Sequence, residues 1–267
     1  MKIQVRGQEV FYGTGSGHPA ADAPTIVFVH GAGFDHAVWV MPARYFARHG
    51  CRVLAPDLPG HGRSEGPALT TVEDMVDWLA EFVQASLEGL AKTPVTVVGH
   101  SMGSLIAMSF ASKYATLTDR IALLGVAAPM PVGAVLLDAA GDNHHAAIDM
   151  ANSWSHSQSG HMVAGQSPGI SNINSGERWL ERMSEGIFHA DLAACNAFTA
   201  PIDIANTPAL LILGGADRMT PVKVGKKVAA ALTDARVVVL SKCGHAMLSE
   251  QPNQVLDALI NFLVVRN

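Results

Sequence analysis

The chain has 267 residues, 49% of them hydrophobic and only 15% charged, with 18 Lys+Arg against 23 Asp+Glu for a formal net charge of -5. Soluble domains usually carry about 25% charged residues; so apolar a chain is not disordered, because it holds enough hydrophobic surface to offset ordering entropy. An acidic balance with no basic stripe argues against nucleic-acid binding, and no apolar run approaches the roughly 20 residues of a bilayer span.

In chain order, KIQV and EVFY flank Gly7-Gln8 and predict a short antiparallel hairpin. Met1 to Tyr12 alternates polar and apolar residues without an apolar core, so it does not read as a signal peptide. Six runs follow that are almost continuously apolar: Thr25 to Val29, Cys51 to Ala55, Pro94 to Val98, Arg120 to Val126, Pro208 to Leu213 and Ala235 to Leu240. Such runs are expected of parallel strands covered on both faces. Helical patterns lie between most of them. Thr70 and Glu73 read as a capping box opening a helix to about Ala91, and Ser104 to Tyr114 forms another. Thr220 and Pro221 read as N-cap and first residue of a third, and Pro252 as the first residue of the last. Strand and helix in repetition predict a parallel α/β sheet with right-handed crossovers.

The rhythm breaks between about Ala128 and Ala200. Helical patterns there are weaker: Val132 to Ala140, His144 to Trp154, Glu177 to Ile187 and Asp191 to Phe198, with a Ser-, Gly-, Asn- and Gln-rich loop from Ser155 to Gly176. Long excursions from compact domains are usually functional, so this one reads as a lid. Its polarity comes from Ser, Asn, Gln and His more than from charge, which suits an uncharged substrate. The three cysteines, Cys51, Cys195 and Cys243, form no CxxC pair and suit reduced thiols in a cytoplasmic compartment.

Gly99-His100-Ser101-Met102-Gly103 is the most informative segment. It matches G-x-S-x-G, directly after an apolar strand and directly before a helix, the context in which that turn presents a nucleophilic serine. Side chains at the two outer positions would collide in so tight a turn, hence the glycines. Here the chain resembles the α/β-hydrolase superfamily. The resemblance extends to His30-Gly31-Ala32-Gly33-Phe34 after the first long strand, which looks like the family's oxyanion loop. It also covers Pro56 to Ser64 after the second, and Gly214 to Pro221 with Cys243-Gly244-His245 after the last two. It implies an α/β-hydrolase fold with a mostly parallel sheet of about eight strands flanked by helices. Residues 1–128 and 201–267 would form the core, and 129–200 a small helical cap inserted after strand 6.

A serine hydroxyl needs an adjacent base, and the base a carboxylate that fixes its tautomer. His245 and Asp217 both follow predicted strands at their carboxyl ends, where open α/β sheets place their sites. With Ser101 they stand in the order Ser, Asp, His that this fold requires; Asp217 alone would equally suit a helix cap. Asp57 belongs to a loop signature and reads as a residue that orders it. An oxyanion hole needs two backbone N–H groups. Met102 supplies one, and the resemblance assigns Ala32 the other, with Gly33 or Phe34 as alternatives. No cofactor and no metal site is expected: the insertion's His144, His145, His156, His161 and His189 lack a metal-ligand spacing. His61 receives no chemical role. Met102, Met219 and Met247, close to the site residues, and Met130, Met150, Met162 and Met183 in the insertion suggest an adaptable apolar pocket, and Cys243 an inert buried thiol.

The reaction these residues imply is hydrolysis of a carboxylic ester of a small to medium, largely uncharged molecule. Carbon–carbon hydrolysis, lactone hydrolysis and cofactor-free haloperoxidase or perhydrolase chemistry use the same triad. A hydrolase-fold ligand receptor is the non-enzymatic alternative. The expected partner is a small-molecule substrate, with no nucleic acid or membrane, and a homo-oligomer is compatible with the sequence.

Overall fold

A computed structural model describes residues 1–90, 93–161, 171–199 and 207–263. The first elements are β1 (Lys2–Val5), β2 (Gln8–Gly13), β3 (Thr25–Val29), α1 (Val40–Arg48), β4 (Arg52–Pro56), α2 (Val72–Ser86), β5 (Val95–His100), α3 (Met102–Lys113) and β6 (Thr118–Leu124). Helices α4 (Ala134–Gly141), α5 (His145–Ser155), α6 (Gln158–His161), α7 (Asn172–Leu180) and α8 (Ile187–Ala197) follow. The chain then returns through β7 (Ala209–Gly214), α9 (Val222–Ala230), β8 (Ala235–Leu240), α10 (Met247–Glu250) and α11 (Pro252–Leu263). The eight strands form one sheet ordered β1-β2-β4-β3-β5-β6-β7-β8. Pairings β1-β2 and β2-β4 are antiparallel and the other five parallel. This is the architecture the resemblance implies, a mostly parallel sheet of eight strands flanked by helices.

Side chains alternate across a strand, and β3 shows what that does here. Val27 and Val29 join the apolar layer under α2 and α3, with Trp78, Phe82 and Phe110. Ile26 and Phe28 join the opposite layer under α1 and α11, with Trp39, Phe46 and Leu259. Both faces are covered, so the strand tolerates no polar alternation. Strand β8 departs from this reading. It is the sheet's last strand, and Val237 and Val239 are 39% and 44% exposed.

Several boundaries differ from the sequence expectation. The N-cap of α2 is Thr71, not Thr70: its side chain accepts from Asp74 N–H at 3.1 Å and donates to Asp74 Oδ2 at 2.8 Å. The helix ends at Ser86 rather than near Ala91, a residue outside the described ones. Helix α3 begins at Met102, so its first turn grows directly from the serine. Pro221 is the N-cap of α9, displacing Thr220, which is engaged in the site described below. Pro252 opens α11 as expected.

The segment between β6 and β7 has its own apolar centre, built from Leu136, Ala147, Leu180, Phe188 and Leu192, against which Ala32 and Phe34 also pack. Its expected loop contains the short α6. The expected helix from Glu177 to Ile187 is instead divided. Helix α7 starts early because the Ser171 side chain caps it, accepting from Asn174 N–H at 3.3 Å. Left-handed Gly186, φ 80°, separates it from α8. The return to the core at residues 200–206, where the boundary at 200/201 falls, lies outside the described residues, as does Met162. Among the described residues no helix is long and apolar enough to cross a membrane.

Candidate active site

Ser101 stands between β5 and α3 with φ 54° and ψ -119°, a region that side chains seldom occupy. The flanking glycines make this turn sterically feasible. A Cβ on Gly99 would lie 2.0 Å from the Gly103 carbonyl oxygen, and one on Gly103 would lie 2.3 Å from that of Val29. Below the turn, the Ser104 hydroxyl contacts the carbonyls of Gly99 and Leu124 at 2.8 and 2.9 Å, and Ser101 N–H donates to the Leu124 carbonyl at 2.8 Å.

Asp217 and His245 meet after β7 and β8, both buried. His245 Nδ1 donates to Asp217 Oδ2 at 2.8 Å. Thr220 Oγ1 donates to the same oxygen at 2.7 Å, while Met219 N–H and Thr220 N–H both reach Oδ1 at 2.8 Å. Asp217 therefore orders its own loop and orients the histidine as well. Burial opposes ionisation, but the charge and hydrogen bond of His245 and the Thr220 donors outweigh it and hold the carboxyl below its ordinary range. Asp217 thus stays anionic at neutral pH, and Nδ1–H is the tautomer it selects. That leaves His245 Nε2 to act on other groups.

His100, the residue before the serine, makes a contact with His245 that sequence reasoning missed. Its Nε2–H donates to the His245 carbonyl at 2.9 Å, with the two rings 4.9 Å apart. Burial and the neighbouring His245 lower its pKa to about 3, so it is neutral. Gly125, φ 59°, leaves room for the histidine ring: a Cβ there would approach His245 Cε1 to 2.9 Å.

The loop after β3 lies against the serine, since a Cβ on Gly31 would sit 3.2 Å from Ser101 Cβ. Its donors are not equivalent. Gly33 N–H donates to Asp191 Oδ2 at 2.8 Å, and Phe34 N–H to the Gly31 carbonyl at 3.2 Å. Both alternatives to Ala32 are thus engaged, and Ala32 N–H has no acceptor among the described residues. Met102 N–H belongs to the first turn of α3, where amides lack intrahelical acceptors.

Ser101, His245, Ala32 and Thr220 line one cavity of about 280 Å³. Its other walls are largely apolar, with Phe34, Met130, Leu136, Trp154, Phe188 and Leu192 prominent, and among the described residues Arg218 is its one Lys, Arg, Asp or Glu. No hydrogen bond joins Ser101 Oγ to His245, a link that commonly tightens only in the reacting complex. A second compartment of about 350 Å³ shares Phe34, His100, Leu180 and His245 and extends past Trp179 to Met41. The methionine expectation is corrected in part. Met130 and Met219 line the first cavity, but Met102 and Met247 are fully buried in opposite core layers and face neither compartment. Cys243 is buried in the core, and desolvation pushes its thiol pKa up.

Asp57 accepts from His36 N–H, His36 Nδ1 and Arg63 N–H at 2.7, 2.7 and 3.0 Å, which ties its loop to the turn after β3. Among the described residues, two groups of side chains have metal-ligand types within reach of one another: Asp35, His36 and Asp57, and the largely exposed His145, Asp149 and Glu177. In the first, Asp57 is already filled by these three donors.

Two buried acids that sequence reasoning missed join the α4–α8 segment to the core. Asp191 of α8 meets Gly33 and His61. Glu250 of α10 accepts from the amides of Gly244 and Ser157, both at 3.1 Å, and from the Ser157 hydroxyl. The available signal was an isolated acid within an apolar helix, as in FHADLAACNAF.

A model of the alpha/beta hydrolase family matches residues 26–258. The pimeloyl-[acyl-carrier protein] methyl ester esterase of Aromatoleum aromaticum is 30% identical over 251 residues, covering 86% of this chain and 94% of that protein. The 2-hydroxy-6-oxo-6-phenylhexa-2,4-dienoate hydrolase of Burkholderia cepacia is 25% identical over 262 residues, 91% of this chain and 89% of that one. The crystal structure of the enol-lactonase from Burkholderia xenovorans LB400 superposes with a TM-score of 0.83 at 23% identity, covering 98% of this chain and 99% of that one. The chain spans about half the length of the mammalian relatives it matches at 25% identity, 54 to 56% of theirs.

Proposed function

The chain belongs to the alpha/beta hydrolase family, and from that premise we propose that it is a serine hydrolase cleaving carboxylic esters through an acyl-enzyme. The observation that carries this reading is convergence on one cavity. A serine on a strained turn, a histidine held by a buried carboxylate and an unengaged loop amide all reach the same space. Ser101 Oγ attacks the ester carbonyl while His245 Nε2 takes its proton. Ala32 and Met102 N–H groups bind the developing oxyanion. His245 then protonates the departing alcohol and deprotonates the water that attacks the acyl-enzyme, and Ser101 is regenerated. Asp217 keeps His245 in the required tautomer and stabilises the imidazolium.

The apolar walls suit a small to medium, largely uncharged substrate, with the 129–200 segment as a cap over it. The two compartments, both lined by His245 and the first also by Ser101, are proposed to receive the acyl and alcohol parts separately. We place the protein in the cytoplasm, in keeping with three unpaired cysteines. Carbon–carbon hydrolysis is the second reading, carried by the likeness to the Burkholderia cepacia hydrolase.

The test is turnover of p-nitrophenyl esters of graded acyl length, with fluorophosphonate labelling, in wild type and Ser101→Ala. Wild-type turnover and labelling, both abolished in the variant, are expected. Turnover retained by the variant overturns the nucleophile assignment. A wild-type protein that binds esters but neither turns them over nor labels is a receptor.

A further inference from the structure

Three segments distant in sequence meet at one carboxylate. Asp191, on α8, is fully buried. Its Oδ2 accepts from Gly33 N–H at 2.8 Å and from His61 Nε2 at 2.9 Å, while Oδ1 has no partner among the described residues. His61 Nδ1 lies 3.0 Å from the Pro59 carbonyl, so both of its ring nitrogens face acceptors. Only an imidazolium donates from both. Burial alone would disfavour that charge, but Asp191 and Pro59 reverse the balance and raise the pKa of His61. The adjacent His30, 4.9 Å away ring to ring, is the opposite case. Its Nε2 accepts from Leu58 N–H at 3.1 Å, and burial with the nearby His61 lowers its pKa to about 4.

A buried ion pair is seldom retained for stability, because desolvation offsets most of its attraction. What distinguishes this one is the third member. Gly33 adopts φ 73°, where a side chain is strained, and a Cβ there would also crowd Met183 Sδ at 2.4 Å and Phe188 at 3.1 Å. Glycine is free to enter several backbone basins, and rotation of its peptide would exchange its N–H with the carbonyl of Ala32. The carboxylate of Asp191 fixes one of these orientations.

We infer that Asp191 is a positioning residue for the oxyanion loop: braced by His61, it binds Gly33 N–H and thereby holds the loop with Ala32 N–H as its available donor beside Ser101. This rests on the serine-hydrolase reading above. Asp191 does not touch the substrate. It couples α8 to the backbone that stabilises the transition state, so its loss lowers kcat more than it changes KM.

The experiment compares wild type, Asp191→Ala and Asp191→Asn in steady-state ester hydrolysis below their melting temperatures. Affinity for an alkylboronic acid, whose serine adduct mimics the tetrahedral intermediate, is measured alongside. In Asp191→Ala kcat is expected to fall about 10-fold or more, short of the 10²–10³ for outright loss of a donor. KM should move less than about 3-fold, and boronate affinity should fall with kcat. Asp191→Asn, which keeps an acceptor oxygen, should recover part of both. Variants with lowered Tm but wild-type kcat and boronate affinity overturn the proposal and leave the serine-hydrolase reading intact. Wild type that neither labels nor turns over ester overturns both. If Asp191→Ala does not fold, amide exchange in wild type decides: protection of Gly33 N–H with Ala32 N–H unprotected supports the inference, and equal exchange overturns it.

Discussion

Asp217 illustrates how much one side chain does at the residue scale. Four donors converge on its two oxygens, three from its own loop and one from His245. An amide in its place would present a donor to either Thr220 or His245 and favour the wrong imidazole tautomer. Asp217→Asn is expected to lower kcat by about 10⁴-fold, as removal of the acid does in serine-protease triads. Stopped-time ester assays at saturating substrate check it, and a loss below about 10-fold would move the acid elsewhere. Thr220 shows what sequence reading misses at this scale. It read as a helix cap, yet its hydroxyl belongs to Asp217, and no local pattern distinguishes the two uses. Ser101 was legible because backbone sterics demand two glycines around it. His61, Asp191 and Glu250 were not, because the partners that join them across the fold lie far off in sequence: Gly33 and His61 are 158 and 130 residues from Asp191, and Ser157 is 93 from Glu250.

At the scale of the element, strands were easier to read than helix ends. Continuous apolar runs follow directly from burial on both faces, and β3, β5 and β7 are buried along their whole length. Helix starts depend on a single hydroxyl, and adjacent threonines leave the choice open. The Thr71 side chain satisfies Asp74 N–H and reads as the true cap. Thr71→Ala is expected to cost about 1 kcal/mol, while Thr70→Ala should cost a few tenths at most. Denaturant melts of the two single variants check the difference, and equal losses would reject the assignment. The insertion was the least legible part. Its helices bury their apolar faces against one another and against Ala32 and Phe34, so tertiary contacts and not periodicity decide where each begins.

The whole molecule carries its own pH response. Burial of Asp57 opposes its ionisation, but donors from His36 and Arg63 outweigh that and depress its pKa below 3.8. The titratable side chains facing it are His36, with Asp35 behind it, and Arg63 donates through its backbone amide. A carboxylate whose folded pKa is depressed contributes stability that is present above its unfolded pKa and lost as pH falls through the folded value. Wild type should therefore melt above Asp57→Asn at pH 7 and pH 5, with the gap closing below about pH 3.8. Thermal melts at several pH values test this; a gap that persists unchanged at pH 3 would show a role independent of charge.

The two buried acids between α8, α10 and the core also limit how this protein can be re-engineered. Asp191 reaches from the insertion into the core, and Glu250 reaches from the core into the insertion. Replacing the helices between β6 and β7 with a short linker would not yield a simpler open hydrolase. It would strip Gly33 N–H of its acceptor, leave His61 without its counter-charge and remove two of the three donors to Glu250. The insertion is therefore not a detachable module: any exchange with a relative's helices must bring an acid to the Gly33 amide and a donor to Glu250, or alter both loops that flank the serine.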